Sequence, residues 1–484
     1  MGKPATANDD LPSEFQQVIT IDEAVDKIGL GKFQHKVLFA TGTCFMADSV
    51  QVMLLSILTR KLQREWEFEE SLTSYIASCL FAGATVGTLI LGPLGDRWGR
   101  KPVLCLAAVI ISIFGFVTAL CNHYLALFPT FFCVGFGVGG LTVPFDILAE
   151  FLDTESRGTY LLLIKYFWTI GSMIVPVLGY LTIELAGSWR LFAALCTLPC
   201  LLSLITGILF VPESPRWLVS KGKNEKALVI LRDAAKDNGV DADIAFPLNT
   251  VIADEKMEEA TFADLLSPRW RKLMLTLAVI WATYCFAFYG SILTITRVFD
   301  TGEDGADEDF DYSAIFLSSA AELIGTTLAI RLIDTIGRIK TLVGSCIIGG
   351  IGIFSLCLTD EKVARWVQIC CALVARAAQM SMACVAWIST AELLSTEILS
   401  TGHSAVNACA RFGAVFCPFL VDGNNSLAFV GTVLLIVHLI TAISGSTLLE
   451  TKGIAMGKAI LLEEARSQDN AEDYHKMEGT GAFA

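Results

Sequence analysis

Six ionisable side chains stand where their surroundings make charge costly: Asp48, Asp146, Lys165, Glu322, Arg376 and Arg411 all fall inside long apolar runs. An ionised group near the middle of a membrane helix costs roughly 2.5–3.5 kcal/mol on insertion scales, so such groups are expected to face a cavity or a partner. Gln51 lies three residues after Asp48 and therefore on the same helical face. Lys165 shares a face with Trp168, and Asn407 precedes Arg411 by one turn. A buried carboxylate can take a proton or a cationic group, while an arginine fork suits a substrate carboxylate. Static pairing is the alternative. Asp146 and Lys165, on adjacent antiparallel segments, can neutralise one another, and Arg411 can lock onto Glu322. Asp48 has the strongest claim to function, because no basic residue shares its stretch of helix. The aromatics Trp281, Tyr284, Tyr289 and Trp387 can line a cavity or fill the core between helices.

Other chemistries lack their signatures. No nucleophile–base pair, phosphate-cradling glycine loop or metal cluster is present, so an enzyme is not expected, and neither a cofactor nor a metal is called for. The fifteen cysteines are scattered through apolar runs and read as small buried hydrophobes. A net charge of −14 argues against nucleic acid. A composition 54% hydrophobic and 17% charged belongs to a chain partnered by a lipid bilayer.

The elements that must position the six charges are membrane helices. Twelve apolar segments approach the ~20 residues needed to cross ~30 Å of hydrocarbon. They run over 35–58, 70–92, 103–121, 124–149, 158–184 and 190–211, then 273–297, 312–333, 341–359, 364–390, 401–421 and 426–448. The expected fold is all-α, with twelve transmembrane helices in two six-helix repeats. Its parts are an N-terminal segment (1–34), a first bundle (35–211), a linker (212–272), a second bundle (273–449) and a tail (450–484). Residues 1–34 are polar and acidic without an apolar core, so no cleaved signal is expected. Residues 1–19 show no pattern. Thr20 and Glu23 then form a capping-box pair that opens a short amphipathic helix ending at Gly29 or Gly31. Within the linker, 224–238 suits a surface helix.

The repeat is carried by charged turns. Gly92, Gly95, Asp96, Arg97, Gly99, Arg100 and Lys101 crowd into ten residues that read as a tight loop at a membrane surface. A weaker copy lies at Asp334, Gly337, Arg338 and Lys340, with 334 − 96 = 238. Ala149-Glu150 recurs at Ala391-Glu392 (392 − 150 = 242), and Glu213-Ser214 at Glu450-Thr451 (450 − 213 = 237). Positive charge puts these turns, the linker and both termini in the cytoplasm. The acidic run 300–311 then lies on the far side. Arg60, Lys61 and Arg64 break this rule, although four glutamates follow closely. With Arg157 and Arg216, the turn residues Asp96, Arg97, Arg100, Glu150, Glu213, Asp334, Arg338, Glu392 and Glu450 read as a latch that joins the two halves in one state and releases them in the other. Asn424, Asn425 and Ser426 spell a glycosylation sequon, too near the membrane for modification.

These residues resemble the major facilitator superfamily over nearly the whole chain. The 92–101 stretch looks like its signature between helices 2 and 3, and 212–217 and 450–453 look like the ends of helices 6 and 12 in its sugar and organic-ion branches. More narrowly, 26–34, Met46-Ala-Asp48, 167–171 and 410–413 resemble the synaptic vesicle 2-related proteins and related organic-ion carriers, including nicotinate-type transporters. Two departures stand out. Phe131 occupies the position of an arginine usual before the helix 4 glycine run, so its role in proton coupling is not carried over. Arg376 matches that arginine in the second half, where 379–381 replaces the glycines. Leu399 stands opposite Arg157.

The resemblance implies a secondary active carrier of a small organic solute, an organic ion with H+ or Na+ as coupling ion, working by alternating access as a monomer. The alternative is a transporter-like receptor or vesicle scaffold. The membrane is the plasma membrane or that of an intracellular vesicle.

Overall fold

The computed structural model describes residues 17–452 except 154–155, 248, 254–261, 302–308, 360–362 and 395–397. Residues 1–16, the middle of the acidic run and the tail beyond 452 lie outside the described residues. In chain order the elements are β1 (Gln17–Ile19), α1 (Ile21–Ile28), α2 (Lys32–Trp66), α3 (Ser71–Trp98), α4 (Arg100–Leu120), α5 (Tyr124–Val138), α6 (Thr142–Glu150), α7 (Arg157–Gly179), α8 (Trp189–Leu195) and α9 (Leu198–Phe210). After these come α10 (Pro215–Ser220), α11 (Asn224–Asp237), α12 (Ala242–Ala245), β2 (Thr250–Ile252), α13 (Arg271–Val298), α14 (Tyr312–Thr335), α15 (Arg338–Cys357), α16 (Arg365–Leu393), α17 (Leu399–Leu420) and α18 (Leu427–Ser446).

Among the described residues eleven helices, counting α5–α6 and α8–α9 as continuous spans, are long and apolar enough to cross a membrane. The twelfth, α17, has the length but carries His403, Ser404, Asn407 and Arg411. The two halves repeat each other in their packing. In the first, α2 packs on α7, α3 on α5 and α4 on α9; in the second, α13 packs on α17, α14 on α16 and α15 on α18. Between halves, α3 meets α17 and α7 meets α14, two contacts that the repeat converts into one another.

Several expectations are corrected at their boundaries. The 92–101 stretch is not a loop: α3 runs to Trp98, α4 starts at Arg100, and Gly99 alone turns the chain at φ 110°. That backbone region is open to glycine and strained for other residues. The first segment extends through Arg60, Lys61 and Arg64 to Trp66. The fourth is interrupted by a 3-10 turn at Gly139–Leu141, and the sixth between Leu195 and Leu198. The patternless N-terminal stretch yields a strand, since Gln17–Ile19 pairs in parallel with Thr250–Ile252. The expected capping box on α1 is present. The linker helix α11 ends against the start of α2, where Asn238 accepts from the Phe33 amide (2.9 Å) and donates to the Gly29 carbonyl (2.9 Å) and Gln34 (2.8 Å). The linker therefore folds with the N-terminal segment into a small unit against the first half.

The basic cluster that broke the charge rule has its explanation at the opposite end of the bundle. Arg64 Nη1 lies 2.6 Å from Asp300, Arg60 Nη1 lies 3.5 Å from Asp300, and Lys61 Nζ lies 2.5 Å from Asp309. The cations end α2 of the first half, and the carboxylates belong to the α13–α14 connection of the second. Asp309 is further held through its amide by Glu184 (3.0 Å), which also accepts from the Tyr312 hydroxyl (3.0 Å). Nearby, Ser74 donates to the Pro418 carbonyl (3.0 Å) and Asp422 (3.0 Å), and Ser78 to the Val415 carbonyl (2.8 Å). Asp311 caps α14 beside this clamp. Burial opposes its charge, yet the Ala314 amide, the Ser313 hydroxyl and Arg365 outweigh burial and hold its carboxyl below the usual carboxylate range.

Glycines let backbones touch within the first half. A Cβ on Gly135 would sit 1.9 Å from the Leu80 carbonyl, whereas one on Gly344 would meet nothing within 4 Å. Gly135→Val is expected to cost about 3 kcal/mol, the upper end of overpacking, and Gly344→Val close to none. The thermal midpoints of the purified proteins check this. For the clamp, a double-mutant cycle of Arg64→Met and Asp300→Asn is expected to show coupling of about 1 kcal/mol. Additive midpoints would mean that the pair does not join the halves.

Candidate functional site: a charged aromatic cavity between the halves

Five helices put side chains into one cavity at the junction of the halves. From the first half come Phe45, Asp48, Lys165 and Trp168; from the second come Tyr284, Cys285, Phe288, Tyr289, Met380, Ala383, Trp387, Asn407 and Arg411. Eight of these were candidates from the sequence, Tyr284, Tyr289 and Trp387 among them as aromatics that could line a cavity or fill the core. The cavity is tight, with about 30 Å3 in which the centre of a water-sized sphere can move. That is room for one or two waters.

Asp48 is not a lone carboxylate. Helix α2 places it at 1% exposure, and α17 brings Arg411 Nη2 within 3.1 Å of its Oδ2. Arg411 Nη1 also donates to the Tyr289 hydroxyl at 2.7 Å. The pair joins one half to the other across the cavity, and chain distance hid it: the partners are 363 residues apart. Among the described residues, Asp48 Oδ1 and Arg411 Nε are left without hydrogen-bond partners, as is Trp168 Nε1 on the same wall.

Both static pairings considered from the sequence are overturned. Glu322 pairs with Arg376 at 2.7 Å, where the two side chains are 0% and 2% exposed. Residues 54 apart on the adjacent helices α14 and α16 meet more directly than Glu322 could meet α17. Glu322 also accepts from Ser172 of the first half at 3.3 Å. Asp146 lies 3.6 Å from His403 Nδ1, again across the halves, and Lys165 instead lies over the Trp387 ring with Nζ 4.1 Å from its centroid.

Other expected members stand apart from the cavity. Gln51 donates to Cys200 Sγ at 3.4 Å, toward α9. Trp281 is one layer behind, donating to Thr390 Oγ1 at 2.8 Å and packed 5.0 Å from Trp387. Below the cavity, toward the end of the bundle that carries Gly99, Phe145, Trp281, Trp387 and His403 form a layer with ring centroids 4.8–5.4 Å apart. His403 was missed in the sequence. Its signal was present, since only five histidines occur and this one lies in an apolar segment. Phe131 is fully buried in α5.

The turn residues form two matching clusters. Arg100 Nη1 lies 2.6 Å from Glu150, and Ser214 donates to the same carboxylate. Glu213 accepts from the Arg100 and Lys101 amides at 2.8 and 3.3 Å, so a carboxylate sits on the open N-terminus of α4. In the second half Arg338 grips Glu392 with two bonds (2.9 and 3.1 Å), Thr451 donates to Glu392, and Glu450 accepts from the Arg338 and Ile339 amides at 2.8 and 3.1 Å. Gly337, at φ 99°, repeats Gly99. Asp96 and Asp334 lie 3.9 and 3.3 Å from these arginines, and Arg97 is exposed. These contacts of Arg100, Glu150 and Glu213, and of Arg338, Glu392 and Glu450, tie helices within one half. They do not join half to half as a latch would. Arg157 and Arg216 meet Asp22 of α1, a partner the sequence reading did not include.

Comparison with known proteins agrees with this architecture. The family described as Sugar (and other) transporter matches residues 38–458. The Synaptic vesicle 2-related protein of Xenopus laevis is 30% identical over 434 residues, covering 85% of this chain and 78% of the relative. The Organic cation/carnitine transporter 7 of Arabidopsis thaliana is 26% identical over 445 residues, covering 84% and 88%. Among solved structures, the E. coli proton:xylose symporter XylE bound to 6-bromo-6-deoxy-D-glucose superposes with a TM-score of 0.70 at 21% identity, covering 89% of this chain and 98% of XylE. That likeness carries the fold alone. With twelve helices in two repeats and a family match over most of its length, the chain is a multi-pass membrane transporter that belongs to the Sugar (and other) transporter family of the major facilitator superfamily.

Proposed function

We propose that the protein is a secondary active carrier of a small organic ion, working by alternating access with H+ or Na+ coupled at Asp48. The observation that carries the proposal is the Asp48–Arg411 pair, which spans the two halves inside the cavity at 3.1 Å. A carboxylate there can be neutralised by arginine, by a proton or by a cation, one at a time. Occupation by the coupling ion releases Arg411 and weakens a link between halves, so ion binding and rocking become one event. Removing one partner of a buried pair costs about 3–5 kcal/mol, which ties release of Arg411 to the arrival of compensating charge.

The clusters around Gly99 and Gly337 serve this motion by stiffening each half, so that the halves move as bodies. The clamp of Arg60, Lys61 and Arg64 on Asp300 and Asp309 closes one end of the cavity, and the aromatic–His403 layer closes the other. The name of the Arabidopsis relative supports an organic ion as cargo, and that of the Xenopus relative supports a vesicle membrane. Positive charge on the Gly99 end supports cytoplasmic termini and linker. Tags at residue 5, in 225–250 and at 480 are expected to be reachable only from the cytoplasm. Any one of them on the other side would overturn the orientation.

The coupling role is tested in liposomes. An untargeted uptake screen under imposed pH or Na+ gradients identifies the solute, and Asp48→Asn is then compared with wild type. The variant is expected to reach normal membrane levels and to lose accumulation entirely, its internal-to-external ratio falling to about one, the uncoupled equilibrium. Exchange of labelled for unlabelled solute is expected to persist. Accumulation at the wild-type level would remove Asp48 from coupling, and no flux of any solute would favour a receptor or scaffold.

A further inference from the structure

The charges on the cavity wall do not balance. Asp48 and Arg411 satisfy each other, which leaves the ammonium of Lys165, a residue 6% exposed and lining the same cavity. Among the described residues Lys165 makes no ion pair and its Nζ donates no hydrogen bond. It rests on aromatic faces, 4.1 Å from the centroid of Trp387 and 5.3 Å from that of Phe45. Cation–π contact offsets part of the loss of water but offers no acceptor to the ammonium protons.

The orphaned polar atoms on the same wall lean the same way. Among the described residues, Arg411 Nε and Trp168 Nε1 are buried donors on this wall without partners, against one such acceptor, Asp48 Oδ1. With Lys165, the wall offers donors in excess. A ligand that satisfies them carries acceptors and a negative charge. Its body is apolar, since Phe45, Trp168, Phe288 and Trp387 leave few polar partners for a sugar's hydroxyls. A cationic cargo would compete with Lys165 for the ring faces that it already covers.

We propose that the cavity binds a small organic monoanion, a carboxylate on a flat apolar body, with Lys165 as its charge anchor. The proposal rests on the carrier reading for the identity of the site and adds the sign of the cargo's charge. The cavity, tight in this state, widens as the halves rock apart; the carboxylate then draws the ammonium from Trp387 into an ion pair, and the apolar body takes its place against the rings. No covalent step is involved.

The test measures binding, which does not require transport. The thermal midpoint of the purified full-length protein is followed with benzoate, indole-3-acetate, tetraethylammonium and D-xylose. Benzoate or indole-3-acetate is expected to raise the midpoint of wild type and of Lys165→Arg by a few degrees, with the shift lost in Lys165→Gln. Tetraethylammonium and xylose are expected to leave it unchanged. A monodisperse Lys165→Gln preparation and the response of Lys165→Arg separate lost binding from lost folding. The proposal is overturned if the carboxylate shift survives in Lys165→Gln, if tetraethylammonium or xylose stabilises wild type in place of the carboxylates, or if no probe does. A Lys165-dependent carboxylate shift without uptake of that carboxylate into liposomes would keep the anion site and sink the carrier reading. Uptake of the cation or the sugar would keep the carrier and sink the anion.

Discussion

Charge inside hydrocarbon must be neutralised by the protein itself, and in this molecule that requirement acts across the junction of the two halves. Asp48 on α2 and Arg411 on α17 meet at 3.1 Å in a tight cavity. Neither has a better partner on its own helix, so the halves satisfy their charges by coming together. Any ion or solute that supplies an alternative partner changes how tightly the halves hold. The same logic recurs at the far end, where α2 extends to Arg64 and meets Asp300, and Asp146 lies beside His403 across the same junction. Contacts between the halves thus combine aromatic packing, as of Phe45 on Trp387 and Phe81 on Tyr289, with polar contacts that can be exchanged for others.

Contacts within a half are of another kind. Helices α3 and α5 touch backbone to backbone at Gly135, and the clusters at Gly99 and Gly337 place a glutamate on the open amides of α4 and α15. A positive-φ glycine permits the sharp turn, the glutamate satisfies the helix start, and arginine ties the next helix to both. Repetition of this device, with Ser214 replaced by Thr451, shows that it answers a local need of each six-helix unit. Rigid units joined by exchangeable polar contacts form the mechanical arrangement that alternating access requires.

The N-terminal segment and the linker add a third layer. Strands β1 and β2 pair, Asn238 holds the start of α2, and Asp22 meets Arg157 and Arg216. A connection read as a linker in the sequence is instead fastened to the first half over its described residues.

The sequence by itself determined the twelve segments, the duplication and the identity of the buried charges. Apolar length, turn residues and constant offsets are local or periodic signals, and the bilayer makes them strict. It also carried the capping box on α1 and the matching of Glu150 with Glu392 and of Glu213 with Glu450. Only the tertiary structure decided who meets whom. Asp48 with Arg411, Glu322 with Arg376 and Asp146 with His403 depend on which helix faces meet. Helical periodicity gives a residue's face but not the rotation of that face against a helix hundreds of residues away. For the same reason Gln51 turned toward Cys200, Trp281 fell behind Trp387, and the basic end of α2 found its carboxylates in the other half. A charge's burial is written in its neighbours along the chain, whereas its partner is set by packing in three dimensions.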